Sequence, residues 1–426
     1  MIPAAIVLCG VVLLFVPAAG CNALPLAVAC LWRWPPPVQG WLETRLGLGR
    51  RTLDVVGVGL AVAAAAFNLV TGGQLNGHLL HAGDFQTYWL GATVGTHYGW
   101  SRLFDESLQR SLWPALAGAR VEFLPFLNPP PIAWLVVPLL GLPYAAAYGV
   151  WVALMVLCAA FVIALVLPPR WVPVTVLMSL GLWVIPYTLA SGQNAVMGAL
   201  AIALTWRLLK ARREGWAGLA LAIIDLRPTA TLLVPLALLL AGYRRTFAVW
   251  LGVSAVLGAV TFWSLGIDGT SQFIQLAVDV RRQFPHAQQM TITGWLGSSA
   301  FVLALETVLV ASALAAAWRA GRTPETAISA GVIASLFATP YIHYQDYVAA
   351  LAAAGTVAAS TSRTSFGLVL VALLAAAPPG WLFGGAWEGA LLAVEIAWLA
   401  WLVWPELAKR STRTDLAAAG QARVSE

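Results

Sequence analysis

The sequence predicts an all-α, polytopic integral membrane protein of about 10–13 membrane-crossing helices, with some re-entrant or surface helices between them. Three observations predict it. Of 426 residues, 60% are hydrophobic and only 10% are charged, where soluble domains are roughly 45–50% apolar. Apolar runs recur between short connectors rich in Arg, Pro and Gly, and they have the ~20-residue length that a helix needs to cross a bilayer. Barrel strands would instead be short and alternate in polarity, a pattern the sequence does not show. The 21 tryptophans suit a chain with much interfacial surface, where indole rings anchor. The net charge of +6 sits mostly on Arg in short connectors, which marks cytoplasmic loops rather than a nucleic-acid partner. Cys9, Cys21, Cys30 and Cys158 lie in apolar runs without CxxC spacing and read as small buried hydrophobes.

Each element follows in order. Residues 1–32 are apolar with a break at Gly20-Cys21-Asn22 and form either one crossing or a short hairpin. The basic connector through Arg33, Arg45, Arg50 and Arg51 belongs to the cytoplasm. Residues 53–72 then cross outward and leave Asp84 outside, in a polar loop that runs to Asn128 and is too long for a bare connector. Within it, Leu103 to Trp113 reads as a short amphipathic surface helix ended by Pro114. Residues 130–142 are too few to span and read as a re-entrant or surface helix. Residues 144–167 cross inward and 171–189 outward, to Ser191-Gly192-Gln193-Asn194. Residues 195–209 return to Arg207, Lys210, Arg212 and Arg213, the densest basic cluster. Residues 215–242 hold two short apolar pieces around Asp225-Leu226-Arg227-Pro228. Basic residues bound both ends, so they read as a hairpin with both ends inside. Residues 246–265 go out, a loop spans 266–294, and 296–318 come in. Residues 325–340 go out, 347–361 return, 366–383 go out and 389–404 come in. The layout is a hydrophobic segment and basic connector over 1–52, a transmembrane unit over 53–405 and a polar tail over 406–426.

On this count Asp84, Gln193, Arg281, Arg282, His286, His343 and Asp346 share the outer side, and the densest Lys/Arg clusters share the inner side. An acid at the end of a hydrophobic segment is costly unless paired or wet, which makes Asp84 the first functional candidate. His343 and Asp346 share a face if their segment is helical, inside an aromatic surround of Tyr341, Tyr344 and Tyr347. A His beside a carboxylate suits acid/base work or a phosphate contact. The guanidinium groups of Arg281 and Arg282 suit phosphate. Gln193 and Asn194 are placed either to bond a sugar hydroxyl or to cap a turn. Asp225 and Arg227 pair with each other or with neighbours, unless Arg227 meets a lipid phosphate at the inner side. The sequence has no Walker A loop, GxGxxG, HExxH or fitting GxSxG, which argues against a nucleotide-driven pump, a zincin and a serine hydrolase. No acidic cluster at metal-ligand spacing is evident, so neither a cofactor nor a divalent metal is indicated.

In order, Asp84-Phe85-x-x-Tyr88-Trp89, Leu103-Phe104-Asp105, Phe126-x-Asn128-Pro129-Pro130, Gly192-Gln193-Asn194, Arg227-Pro228 and Thr339-Pro340-Tyr341 with His343 and Asp346 resemble glycosyltransferase family 87. These are polyprenyl-phosphate-sugar-dependent enzymes of GT-C fold that include bacterial mannosyltransferases. The resemblance covers roughly residues 53–350. It departs at Arg227, where the family has Lys, and at Asn128, where it often has Tyr. It implies a GT-C-type arrangement, a lipid-linked sugar donor, a lipid or glycan acceptor and a site at the extracytoplasmic face of the plasma (inner) membrane. It further implies Asp84 as general base. Tyr88, Asn128, Gln193, Arg227, Arg281, Arg282, His343 and Asp346 are the candidate donor-binding residues. Membrane lipids are the other expected partners. The competing expectation is a transporter or flippase of a lipid-linked sugar or small solute. It is disfavoured because the polar residues gather at one face rather than along a through-path.

Overall fold

A computed structural model describes residues 83–117, 122–166, 184–283, 290–360, 389 and 391–403. The described residues are helical, with no strand among them. The expected segments 1–32, 53–72 and 366–383, most of 171–189, and the tail lie outside the described residues.

The helices are α1 (Asp84–Tyr98), α2 (Glu106–Ala117), α3 (Pro130–Val136), α4 (Tyr144–Val166), α5 (Val184–Ala190), α6 (Ala195–Lys210), α7 (Glu214–Leu221), α8 (Val234–Leu240), α9 (Arg244–Gln283), α10 (Ile292–Leu296), α11 (Ala300–Ala320), α12 (Pro324–Ala338) and α13 (Tyr347–Ser360). A fourteenth, α14, runs over Leu391–Val403. Short 3-10 turns at Trp100–Arg102, Val137–Gly141, Ala222–Leu226, Thr229–Thr231 and Tyr344–Asp346 join them.

Two expectations are corrected. Pro114 does not end the helix after Leu103. It lies inside α2, which begins three residues later at Glu106 and runs on to Ala117. The chain from Gly266 is not a loop either. Gly266, at φ 64°, kinks α9, and the helix resumes to Gln283. Its far half packs on the segment between α1 and α2, with Phe273 on Phe104 at 4.9 Å.

Among the described residues, α4, α11 and the Arg244–Asp279 part of α9 are long and apolar enough to cross a membrane. They also carry large apolar side chains that no described residue covers, among them Trp263 at 84% exposure and Phe301 at 74%. Exposed apolar surface on this scale needs a non-aqueous surrounding, so the chain is a membrane protein. The opposite holds for α1, α6, α12 and α13, which form the interior and bury nearly every residue of α12. Small residues allow that closeness. A Cβ on Gly331 of α12 would sit 2.6 Å from Val234 Cα of α8, so only glycine permits this crossing.

The two ends of α6 and α12 differ. At one end Arg322 donates to Gly242 O at 2.9 Å and pairs with Glu214, while Lys210 pairs with Glu325 at 3.6 Å. This end gathers Arg207, Arg212, Arg213, Arg244, Arg245 and Arg319 as well, all exposed. The opposite end of the same helices holds the Ser191–Asn194 turn and the segment from Thr339 to Asp346.

The hairpin over residues 214–242 starts and finishes at the basic end, as expected. Eight α-helical residues followed by five 3-10 residues rise about 22 Å, close to the ~24 Å of α6. The tip at Arg227 therefore reaches the polar end.

Candidate active site

The site is built around the turn after α5. Gly192 has φ 69°, and a Cβ there would lie 2.7 Å from the Phe85 Cβ, so the turn can lie flat against the start of α1 only with glycine. Trp151 Nε1 donates to Gly192 O at 2.7 Å, the Tyr148 hydroxyl donates to Ala190 O, and Phe85 N donates to Ser191 O at 3.2 Å. Two elements, α4 and α1, thus clasp Ala190, Ser191 and Gly192. This presents Gln193 and Asn194 to Tyr88, one turn into α1.

Gln193 Oε1 accepts from the Tyr88 hydroxyl, from Arg227 Nη1 at 2.8 Å and from Asn194 N at 3.2 Å. Asn194 Oδ1 lies 3.1 Å from the same hydroxyl, and its Nδ2 donates to Leu226 O at 3.2 Å, which fixes the hairpin tip. Arg227 Nε donates to Asp346 Oδ1 at 2.7 Å, as does Thr229 Oγ1 at 2.7 Å, while His343 N donates to Asp346 Oδ2 at 2.9 Å. The Arg227 and Asp346 side chains are 10% and 1% exposed. A buried pair this well satisfied is a fixed fixture rather than a mobile arm.

Asp84 differs from Asp346. It has no direct ion pair among the described residues and keeps part of its surface open. Neither acid lies in one of the three candidate spans. Burial pushes the Asp84 carboxyl up to about 6; the Arg227 charge and a hydrogen bond with Ser191 pull it down, and the Asp346 charge raises it again. Burial alone would raise Asp346 too, but the charge and hydrogen bond of Arg227 and the His343 N–H hold it below its ordinary value. Two acids whose surroundings drive them apart in this way divide into one that trades a proton and one that stays ionised. Burial lowers the His343 ring to about 4 against the pull of the Asp346 charge. The ring contacts the Tyr341 hydroxyl and packs edge-on against it at 4.4 Å. His343 is therefore neutral at pH 7: it offers a hydrogen bond but no positive charge.

Of the residues singled out in the sequence, the structure brings Asp84, Tyr88, Gln193, Arg227, His343 and Asp346 into one cluster. Asp225 and Arg227 do not pair with each other: Asp225 accepts from Trp250 Nε1 at 3.3 Å and Ser254 Oγ at 2.5 Å on α9. Nor does Arg227 sit at the basic end to meet a lipid there; it faces Gln193 and Asp346. His343 and Asp346 do not share a helix face. His343 precedes the 3-10 turn that Asp346 ends, and the two are joined by reciprocal backbone contacts. The aromatic surround is incomplete, because Tyr347 turns away to Glu395. Arg281 and Arg282 fall at the end of α9 and their side chains lie outside the described residues, as does His286. Asn128 stands at the bend before α3, with no contact to the cluster among the described residues. Thr229 was not singled out. Its signal is its place two residues beyond Arg227, across a proline that turns the chain back.

The fold and site define a helical membrane protein with a carboxylate–guanidinium site at one end of its interior helices. Glycosyltransferase family 87 matches residues 126–340, half of the chain, and the chain belongs to that family. It is a glycosyltransferase. No curated protein and no solved structure matches it. The matched region contains Asn128, Gln193, Arg227, Arg281 and Arg282; Asp84 precedes it, and His343 and Asp346 follow within a few residues.

Proposed function

We propose that this glycosyltransferase moves a single sugar, a hexose and by resemblance mannose, from a polyprenyl-phosphate donor to a hydroxyl of a lipid or glycan acceptor. The observation that carries this reading is a partly buried carboxylate, Asp84, which burial raises to about 6, beside a guanidinium that a second carboxylate holds in place. Asp84 takes the proton of the acceptor hydroxyl as that oxygen attacks the anomeric carbon. The bond from that carbon to the phosphate oxygen breaks, and the phosphate leaves with the electron pair. Arg227, whose charge reaches Asp84, stabilises the growing charge. A single displacement needs only one base, unlike the carboxylate pair of retaining hydrolases, and inverts the anomeric centre. His343 contributes a neutral hydrogen bond, and Arg281 and Arg282 are the reserve of positive charge for the phosphate.

The catalytic unit in this reading is residues 53–405, a GT-C-type assembly of about 10–13 spans, and the reaction uses neither metal nor cofactor. The positive-inside rule supports a site on the extracytoplasmic side of the plasma membrane, because the exposed arginines gather at the far end of α6 and α12. The experiment is sugar transfer from a polyprenyl-phosphate donor by purified protein, wild type against Asp84→Asn. Turnover lost in a folded Asp84→Asn protein supports the reading, and retained turnover removes Asp84 as base. Movement of labelled donor across a liposome bilayer without a covalent product favours carriage of a lipid-linked sugar instead.

A further inference from the structure

The helix α14 buries one face against the rest of the molecule through Leu391, Trp398 and Leu402. Position 395 belongs to the same stripe, one turn after Leu391 and about one turn before Trp398, where the helical period calls for an apolar residue. It is instead Glu395, 4% exposed. A buried acid in an apolar helix is costly without a partner and marks function by default. Among the described residues its partner is the Tyr347 hydroxyl, which donates to Glu395 Oε1 at 2.6 Å. Tyr347 is itself 1% exposed. It is the residue next to Asp346 and caps the 3-10 turn that carries it, with its backbone N–H bonded within that turn. Asp346 in turn sets the direction of Arg227.

We propose that Glu395 is a positioning residue for the transfer reaction: its carboxylate oxygen anchors Tyr347, and through it holds the Tyr344–Asp346 turn in the register that points Arg227 at the reacting atoms. Glu395 touches neither substrate nor Arg227. Its action is geometric and needs an oxygen acceptor rather than a charge. An apolar side chain of similar size fills the space but releases the tyrosine hydroxyl, which is then buried without a partner. The turn shifts to relieve it and Arg227 moves with it. A displacement of the order of 1 Å at a reacting centre costs up to about 100-fold in rate. The inference rests on Arg227 acting at the reacting centre.

The test measures sugar transfer by folded, detergent-purified Glu395→Leu, Glu395→Gln, Tyr347→Phe and the Glu395→Leu/Tyr347→Phe double variant. The expected result for Glu395→Leu is a kcat lower by about tenfold or more, with donor KM changed by less than about threefold, as for loss of geometry rather than of binding. Glu395→Gln keeps an oxygen acceptor and is expected to retain kcat within about threefold. The double variant, which leaves no buried group unpaired, is expected to recover part of the Glu395→Leu loss in stability but not in kcat. Wild-type kcat in Glu395→Leu, or equal damage in Glu395→Gln, overturns the proposal. Where Glu395→Leu fails to fold, Tyr347→Phe carries the test, with the same kcat and KM criteria. Asp84→Asn is run alongside. Should it retain turnover while Glu395→Leu and Glu395→Gln still differ as stated, the base assignment falls and the anchor stands.

Discussion

At the scale of single residues, the chemistry divides between two carboxylates that the fold treats in opposite ways. Asp84 is raised to about 6, so its protonated form is favoured in the folded state. The stability this group supplies is present at low pH and declines as pH climbs through that value. As the proposed base it works only once deprotonated. Activity is therefore expected to rise across pH 5 to 7 with a midpoint near 6, measured as kcat/KM for the donor. Asp84→Asn is expected to lose about 100-fold or more of the rate, the usual share of a positioned base. Its melting temperature at pH 7 is expected to equal or exceed the wild-type value, since a carboxylate held against its preference costs stability. Asp346 has the opposite sign. Its proton affinity is depressed on folding, so its contribution is present above the ordinary carboxylate range and is lost as pH falls below it. Asp346→Asn strips a buried guanidinium of its counter-charge and is expected to cost about 3–5 kcal/mol, read as a lower midpoint in thermal unfolding. Asp346 already accepts three hydrogen bonds, and taking up a cation would mean giving up Arg227. Activity is therefore expected to survive EDTA.

At the scale of elements, the site depends on backbone shapes that few residues allow. Gly192→Ala places a Cβ against Phe85 in left-handed backbone, a conformation that alone costs ~1–2 kcal/mol. The expected outcome is a folded protein with severely reduced transfer, since the turn carries Gln193 and Asn194. Sequence pattern recovered the elements well where hydrophobic length decided them. Residues 144–167 became Tyr144–Val166, 195–209 became Ala195–Lys210, and 347–361 became Tyr347–Ser360. It failed where glycine and proline were read as stops. Gly266 bends α9 without ending it, and Pro114 is tolerated inside α2 because the chain on either side keeps its packing. The polar cluster was legible because scarce charge in an apolar chain stands out, as Asp84 and Asp346 do. The depth of Arg227 is not legible in the sequence, which leaves a neighbour pair and an inner-side lipid phosphate both open. Flanking charges tell where a hairpin starts and finishes, but not how far its tip reaches, and 3-10 residues lengthen that reach. The Asp225 and Glu395 partnerships are tertiary, so no local spacing announces them.

At the scale of the whole molecule, the described residues have two unlike poles, one rich in exposed arginine and one holding the candidate site. The topology is open to direct measurement. In a background with the native cysteines replaced, Ala115→Cys stands beside Leu116, whose carbonyl accepts from Gln86 near Asp84, and Arg213→Cys marks the basic pole. An impermeant maleimide is expected to label the first in intact cells and the second only after permeabilisation. Labelling of both from the same side removes the assignment of the site to the outer face. The long kinked helix α9 carries a further consequence. With so little of its apolar length enclosed by the rest of the chain, its side chains answer to the acyl chains around them rather than to a protein mould. That surface calls for oiliness, not for shape. Swapping Trp263 or Ile267 for any greasy neighbour should pass unnoticed, whereas the same freedom at Gly331 of α12 would pry two helices apart.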